Sequence, residues 1–132
     1  MSVRQLLFAQ SIILLITAFL YFLGFFLYLH WVFWWYDIVL HFLGGAWAAL
    51  AVMWSFAMYK IPPRWAHVIS LVIIIGVLWE IFEFVIGAPR ESNYRPDTSL
   101  DLLMDVAGSF AAMYFVRRKT ALFSAANVDV HE

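Results

Sequence analysis

Four long apolar runs divide the chain, and each is continuous rather than alternating. They cover about Gln5–Leu29, Trp34–Tyr59, Trp65–Ala88 and Thr98–Val116. The first is broken only by Gln10, Ser11, Thr17 and Gly24. At ~1.5 Å per residue, a helix of about 20 residues crosses the ~30 Å of bilayer hydrocarbon, and all four runs are near or above that length. The strict polar/apolar alternation of a membrane β-barrel is missing. Punctuation falls between the runs: Lys60-Ile61-Pro62-Pro63-Arg64 separates the second from the third, Pro89 stops the third, and Arg117-Arg118-Lys119 closes the fourth. The pattern predicts an all-α polytopic membrane protein, with four transmembrane helices in one bundle over residues 1–119 and a small polar tail, mobile and dispensable, over 120–132. Arg4 followed by Leu6 to Leu29 resembles a signal peptide only superficially. The apolar core is too long and no small-x-small cleavage signal follows, so it reads as a retained helix. No internal repeat or low-complexity stretch appears.

Composition agrees. With 65% hydrophobic and 20% aromatic residues against 13% charged, a soluble domain of 132 residues would be sticky over its whole surface, whereas lipid solvates such a surface directly. Membrane lipid is therefore the expected partner. The formal charge of -1 and the lack of a basic stripe with interleaved aromatics exclude nucleic acid. The absence of cysteine excludes disulfides, thiolate metal sites and thiol catalysis. The basic residues set an orientation: Arg4, Lys60, Arg64, Arg117, Arg118 and Lys119 lie on one side, Arg90 and Arg95 on the other. The positive-inside rule puts both termini and the second loop in the cytoplasm. The aromatic belt Trp31-Val32-Phe33-Trp34-Trp35-Tyr36 then faces outward, and Tyr59 and Trp65 form a thinner inner belt.

Against this oily background stand three pairs of ionisable residues, each one helical turn apart: Asp37/His41, Glu80/Glu83 and Asp101/Asp105. A carboxylate at membrane depth costs roughly 2.5–3.5 kcal/mol on insertion scales, so such residues mark working sites by default. Spacings of i,i+3 and i,i+4 put each pair on one helix face. The second helix begins, the third ends and the fourth begins on the outer side, so all three pairs reach one level, roughly 5–12 Å below the outer edge. Small residues extend the same faces, Gly44, Gly45 and Ala48 beyond His41, and Gly108 and Ala112 beyond Asp105, and they let helices approach closely.

No Lys or Arg lies inside the spans to balance these acids. Like charges held close together cannot all stay ionised, so some carboxyls are protonated, or Arg95 (less readily Arg90) folds in from the outer loop, or a cation is bound. His41 with Glu80, Glu83, Asp105, Asp101 and Asp37 is a donor set suited to a divalent Zn, Mn or Fe. The Glu-x-x-His spacing of di-iron bundles is absent. Each residue has a plainer reading too. Asp101, three after Thr98, fits a capping box. Asp37 suits a helix N-terminal dipole. A lone His41 would read as a satisfied core histidine. Glu80, Glu83 and Asp105 lie too deep for capping. His30 and His67 read as interfacial anchors. Ser109 and Ser99 have no nucleophile–base arrangement, and no Gly-x-Ser-x-Gly, His-Glu-x-x-His, P-loop or dinucleotide motif occurs.

The run Tyr36-Asp37-Ile38-Val39-Leu40-His41-Phe42-Leu43-Gly44-Gly45 resembles a signature of the YjdF-like bacterial inner-membrane proteins. Trp79-Glu80-Ile81-Phe82-Glu83 and Asp97-x-x-x-Asp101-x-x-x-Asp105-x-x-Gly108 resemble that family's remaining blocks in the same order. The similarity spans about the last three helices and extends more distantly to VanZ-like proteins. Their last block looks like Arg-x-x-x-x-x-Asp-x-x-x-Asn-x-x-Gly, and Arg95, Asp101, Asp105 and Gly108 take those places. Asp105 stands for Asn and Glu83 for a usual Gln. The resemblance implies a polytopic helical protein integral to a bacterial inner membrane and no particular reaction.

Three functions fit the residues. The first is a metal-dependent membrane enzyme acting on a lipid or cell-envelope substrate, with Glu80 or Glu83 as catalytic base. The second is proton or cation transport through Glu80, Glu83, Asp105 and His41, although only Ser55 and Ser70 continue a polar path inward. Four helices also make a narrow pore unless copies assemble as a homo-oligomer. The third is a non-catalytic accessory whose polar cluster fixes helix register.

Overall fold

The computed structural model describes the backbone of residues 1–87 and 94–128, and the side chains of 1–87 and 98–120. Four membrane-length helices are present as expected: α1 (Val3–Phe26), α3 (Trp35–Met58), α4 (Trp65–Ile86) and α5 (Tyr94–Val128). A single extra turn, α2 (Leu29–Val32), lies between the first two. No strand occurs among the described residues. The chain belongs in a membrane: many large apolar side chains, such as Phe8, Leu15, Phe26 and Val85, face outward on every helix.

Helix ends follow local chemistry. Ser2 and Gln5 form a reciprocal capping box at the start of α1. At the end of α3, the N–H groups of Lys60 and Ile61 return to the carbonyls of Ala57 and Phe56, with Lys60 left-handed at φ 57°. This is a Schellman closure, and Pro62-Pro63 then prevents further helix. Gly87 caps α4 at φ 68°, where a residue without Cβ is unstrained.

Two boundaries differ from expectation. The first helix stops at Phe26 rather than Leu29, because Tyr28 turns left-handed (φ 57°, ψ 28°) and sends the chain into α2. The last helix begins at Tyr94, one turn before Thr98, and continues to Val128 rather than ending at Val116. Pro96 sits in its first turn, where backbone N–H groups have no helical acceptor, so the ring removes nothing.

The centre of the bundle is α3, packed most extensively on α5 and α1 and also touching α4. The close approach to α5 is a backbone crossing. A Cβ on Gly45 would run into the backbone of Asp105, and one on Gly108 into the carbonyl of Phe42. In the half of the bundle away from the ionisable pairs the core is apolar: Leu50, Met53, Val68, Val72, Ala112 and Met113 are all buried. Among the described elements the α1 backbone runs close only to α2 and α3, while at its start Leu6 joins the buried core with Val68 and Met113 and the Met1 amine donates to the Thr120 hydroxyl at 2.9 Å.

Tyr36 anchors the short linker. Its hydroxyl donates to the Leu20 carbonyl at 2.6 Å, and its ring meets His30 edge-on at 5.1 Å. Both rings occupy space left by Gly24, where a Cβ would strike them. Tyr36→Phe should remove one hydrogen bond and lower stability by about 1 kcal/mol, measured by denaturant titration in detergent. An unchanged midpoint would show that the α1–α3 contact does not use it.

Candidate functional site

The three pairs do meet. His41, in the second turn of α3, is 6% exposed and lies at the centre. Its Nε2 faces Asp37 Oδ2 at 4.0 Å from its own helix, Glu80 Oε1 at 3.9 Å from α4 and Asp101 Oδ1 at 4.0 Å from α5. Its Nδ1 faces Asp105 Oδ1 at 3.5 Å. Glu80, Asp101 and Asp105 are buried, and Glu83 is half-buried. Asp37 is the open edge, with 41% of its side chain exposed.

Each placement has a local cause. Asp37 sits in the first turn of α3, where the unpaired N–H groups favour a carboxylate. Asp105 lies at the Gly45/Gly108 crossing, and Gly76 on α4 leaves room for its carboxylate, since a Cβ there would meet Asp105 Oδ2 at 2.5 Å. Three glycines from three helices therefore seat one acidic side chain beside His41.

Spacing sorts the roles. Separations of 3.9–4.0 Å around Nε2 exceed hydrogen-bond length. Ligands at about 2.0–2.2 Å from a single Zn²⁺ lie about 3.0–3.5 Å from one another, slightly inside what is found here. Two trios, Asp37/His41/Asp101 and His41/Glu80/Glu83, each offer donor atoms within 4.8 Å of one another. The carboxylate on Nδ1 matches the outer-shell partner of a metal-binding histidine, which fixes the tautomer and aims the other nitrogen at the metal. Asp105, counted from sequence with the ligands, is thus placed to orient His41 rather than to share the Nε2 face.

Two residues gain a place that the sequence did not give them. Thr98 is not a helix cap, because α5 starts one turn earlier. Its hydroxyl instead donates to Glu80 Oε2 at 2.9 Å, which leaves Oε1 toward His41. The i,i+3 spacing from Thr98 to Asp101 was a visible signal that they share a face. His30, read as an interfacial anchor, has its Nδ1 4.0 Å from Asp37 Oδ1. Only the unpredicted break at Tyr28 brings it there, and no spacing rule could reveal it. The side chains of Arg90 and Arg95 lie outside the described residues. Ser109 is fully buried and its hydroxyl donates to the Val106 carbonyl at 2.7 Å, an internal helix bond rather than a nucleophile's setting.

The cluster stands at one end of a cleft of about 290 Å³ between α1, α3 and α4. Asp37, His41, Glu83 and Asp105 form its polar end, and the remainder of the wall is almost wholly apolar.

Comparison with curated proteins gives no match, and neither does comparison with solved structures. A family match covers residues 3–121, all four membrane helices and every member of the cluster. This four-helix chain, with its buried imidazole and carboxylates, belongs to the family described as "Predicted membrane protein (DUF2238)".

Proposed function

We propose that this protein is a membrane enzyme that holds one divalent cation at His41 and acts on a lipid or cell-envelope substrate at the extracytoplasmic face of a bacterial inner membrane. The observation that carries this reading is the convergence of Asp37, Glu80 and Asp101 from three helices on the single nitrogen Nε2 of His41. Zn, Mn or Fe suits a set of one imidazole and several carboxylates. The YjdF-like and VanZ-like character of the three sequence blocks supports the inner-membrane assignment, and the distribution of Lys and Arg supports the outward placement of the site.

A cation there would supply Lewis acidity and a more acidic bound water. The chain's own residues do the rest. Asp105 holds the His41 tautomer, Thr98 holds Glu80, and Asp37 at the exposed edge admits substrate. Glu83, half-buried on the cleft wall, is the carboxylate placed to accept a proton from an attacking water. One observation favours chemistry over transport: beyond the cluster the core is apolar, and the buried polar groups described there are Gln10, Ser109 and the Trp54 indole N–H. A conducting path needs a polar chain across the remaining thickness.

Elemental analysis of purified protein is the test. Wild type should carry close to one equivalent of a transition metal, and the double variant His41→Ala, Glu80→Ala close to none. Equal, near-zero contents in both would refute the metal centre.

A further inference from the structure

The cleft below the cluster is a feature that catalytic chemistry alone does not require. It runs along α3 from Asp37 to Ala48, about 16 Å by helix rise, into the depth where lipid hydrocarbon surrounds the protein. Side chains of α1 and α4 line it from two sides, and the backbones of these two helices do not come near each other. Leu14 and Ala18 form the α1 wall, and Thr17 presents no free hydroxyl there because it donates back to the Ile13 carbonyl at 2.8 Å. The floor includes Gly44, a residue that costs helix stability relative to alanine. Unlike Gly45 and Gly108, it answers no packing demand: an added Cβ would have only Asp105 Oδ1 nearby, at 3.9 Å. Glycine at this position keeps the cleft open.

We propose that this cleft seats a single hydrocarbon chain of a membrane lipid that enters sideways from the bilayer, with its polar head at Asp37, His41 and Glu83. The lining chooses the occupant. Over about 16 Å the walls are almost wholly apolar, and the ionisable groups Asp37, His41, Glu83 and Asp105 are gathered at one end. A molecule that is apolar along its length and polar at one end matches that division, as one acyl chain with its head does. The position of the head rests on the metal reading above; the position of the chain does not.

The test uses the full chain in nanodiscs of phosphatidylethanolamine and phosphatidylglycerol, doped with a phosphatidylglycerol that carries a diazirine midway along one acyl chain. After illumination, adducts are mapped by mass spectrometry. Leu40 and Ala48 are buried yet line the cleft, so bulk lipid does not reach them. Wild type should show adducts on both. Gly44→Leu should reduce these at least fivefold, as should Ala18→Phe, which fills the cleft from the α1 side, while adducts on the outward-facing Leu78 stay constant. Absence of wild-type adducts at Leu40 and Ala48, indifference to both variants, or protein–protein crosslinks in their place would overturn the proposal. Cleft adducts that persist in protein shown by elemental analysis to hold no metal would uphold the chain seat while removing the metal reading.

Discussion

Asp105→Asn should weaken metal binding about 10–100-fold without removing any atom that faces Nε2 of His41, and His41→Ala should abolish it. The first effect follows from the division of labour around the imidazole. Asp105 lies 3.5 Å from Nδ1, whereas Asp37, Glu80 and Asp101 lie on the Nε2 side. A carboxylate on the far nitrogen accepts its N–H, fixes the tautomer and makes the metal-facing nitrogen more basic, and loss of such a partner typically costs one to two orders of magnitude in affinity. The amide keeps the shape and the burial but loses the charge, so a change in affinity cannot be blamed on a cavity. Thr98→Val should have a smaller effect, because it removes only the hydroxyl that donates to Glu80 Oε2. Competition against a chromogenic chelator, on metal-stripped protein in detergent, orders the three variants. Wild-type affinity in Asp105→Asn would show that His41 is oriented by something else.

The second large effect is on folding. Gly108→Leu is expected to abolish the folded bundle, because its side chain must start where the Phe42 carbonyl already stands. Extra methylenes in a packed core typically cost about 1–3 kcal/mol when side chains can adjust. Here the obstacle is backbone, and no rotamer relieves it, so α3 and α5 must part along their most extensive contact. Separation would also withdraw Asp101 and Asp105 from His41, so metal content should fall with stability. Gly44→Ala, four residues before Ala48 on the same helix, is the contrast: it should fold normally and gain up to about 1 kcal/mol of helix propensity. Thermal unfolding followed by circular dichroism and size-exclusion profiles in detergent separates the two. A monodisperse, stable Gly108→Leu protein would mean that the helices cross elsewhere.

Much of this protein is written in its pattern of apolar residues. Four continuous runs fixed the number of helices, because in hydrocarbon a backbone has few ways to satisfy its own polar groups. The pairs at i,i+3 and i,i+4 fixed the shared level and shared faces of Asp37, His41, Glu80, Glu83, Asp101 and Asp105, since alternating helix directions and helix rise are set by length alone. Local sequence was less reliable at boundaries. The fourth apolar run starts at Thr98, but the helix starts at Tyr94 with Pro96 harmless in its first turn, and that displacement turned Thr98 from a cap into the donor to Glu80.

Only the tertiary structure decided which nitrogen of His41 meets which carboxylate, and so which acid orients and which ones face a ligand. That distinction depends on helix rotation about its axis, and rotation is set by which side chains and glycines meet across an interface. The left-handed turn at Tyr28 that brings His30 to Asp37 is likewise a tertiary choice, made by the space at Gly24 for two rings. The gap between α1 and α4 has no signature in either helix, because lipid-facing and cleft-facing positions are equally apolar. Depth and direction are properties of one helix and can be read along a line, whereas contact and vacancy belong to pairs of helices and exist only once they are packed.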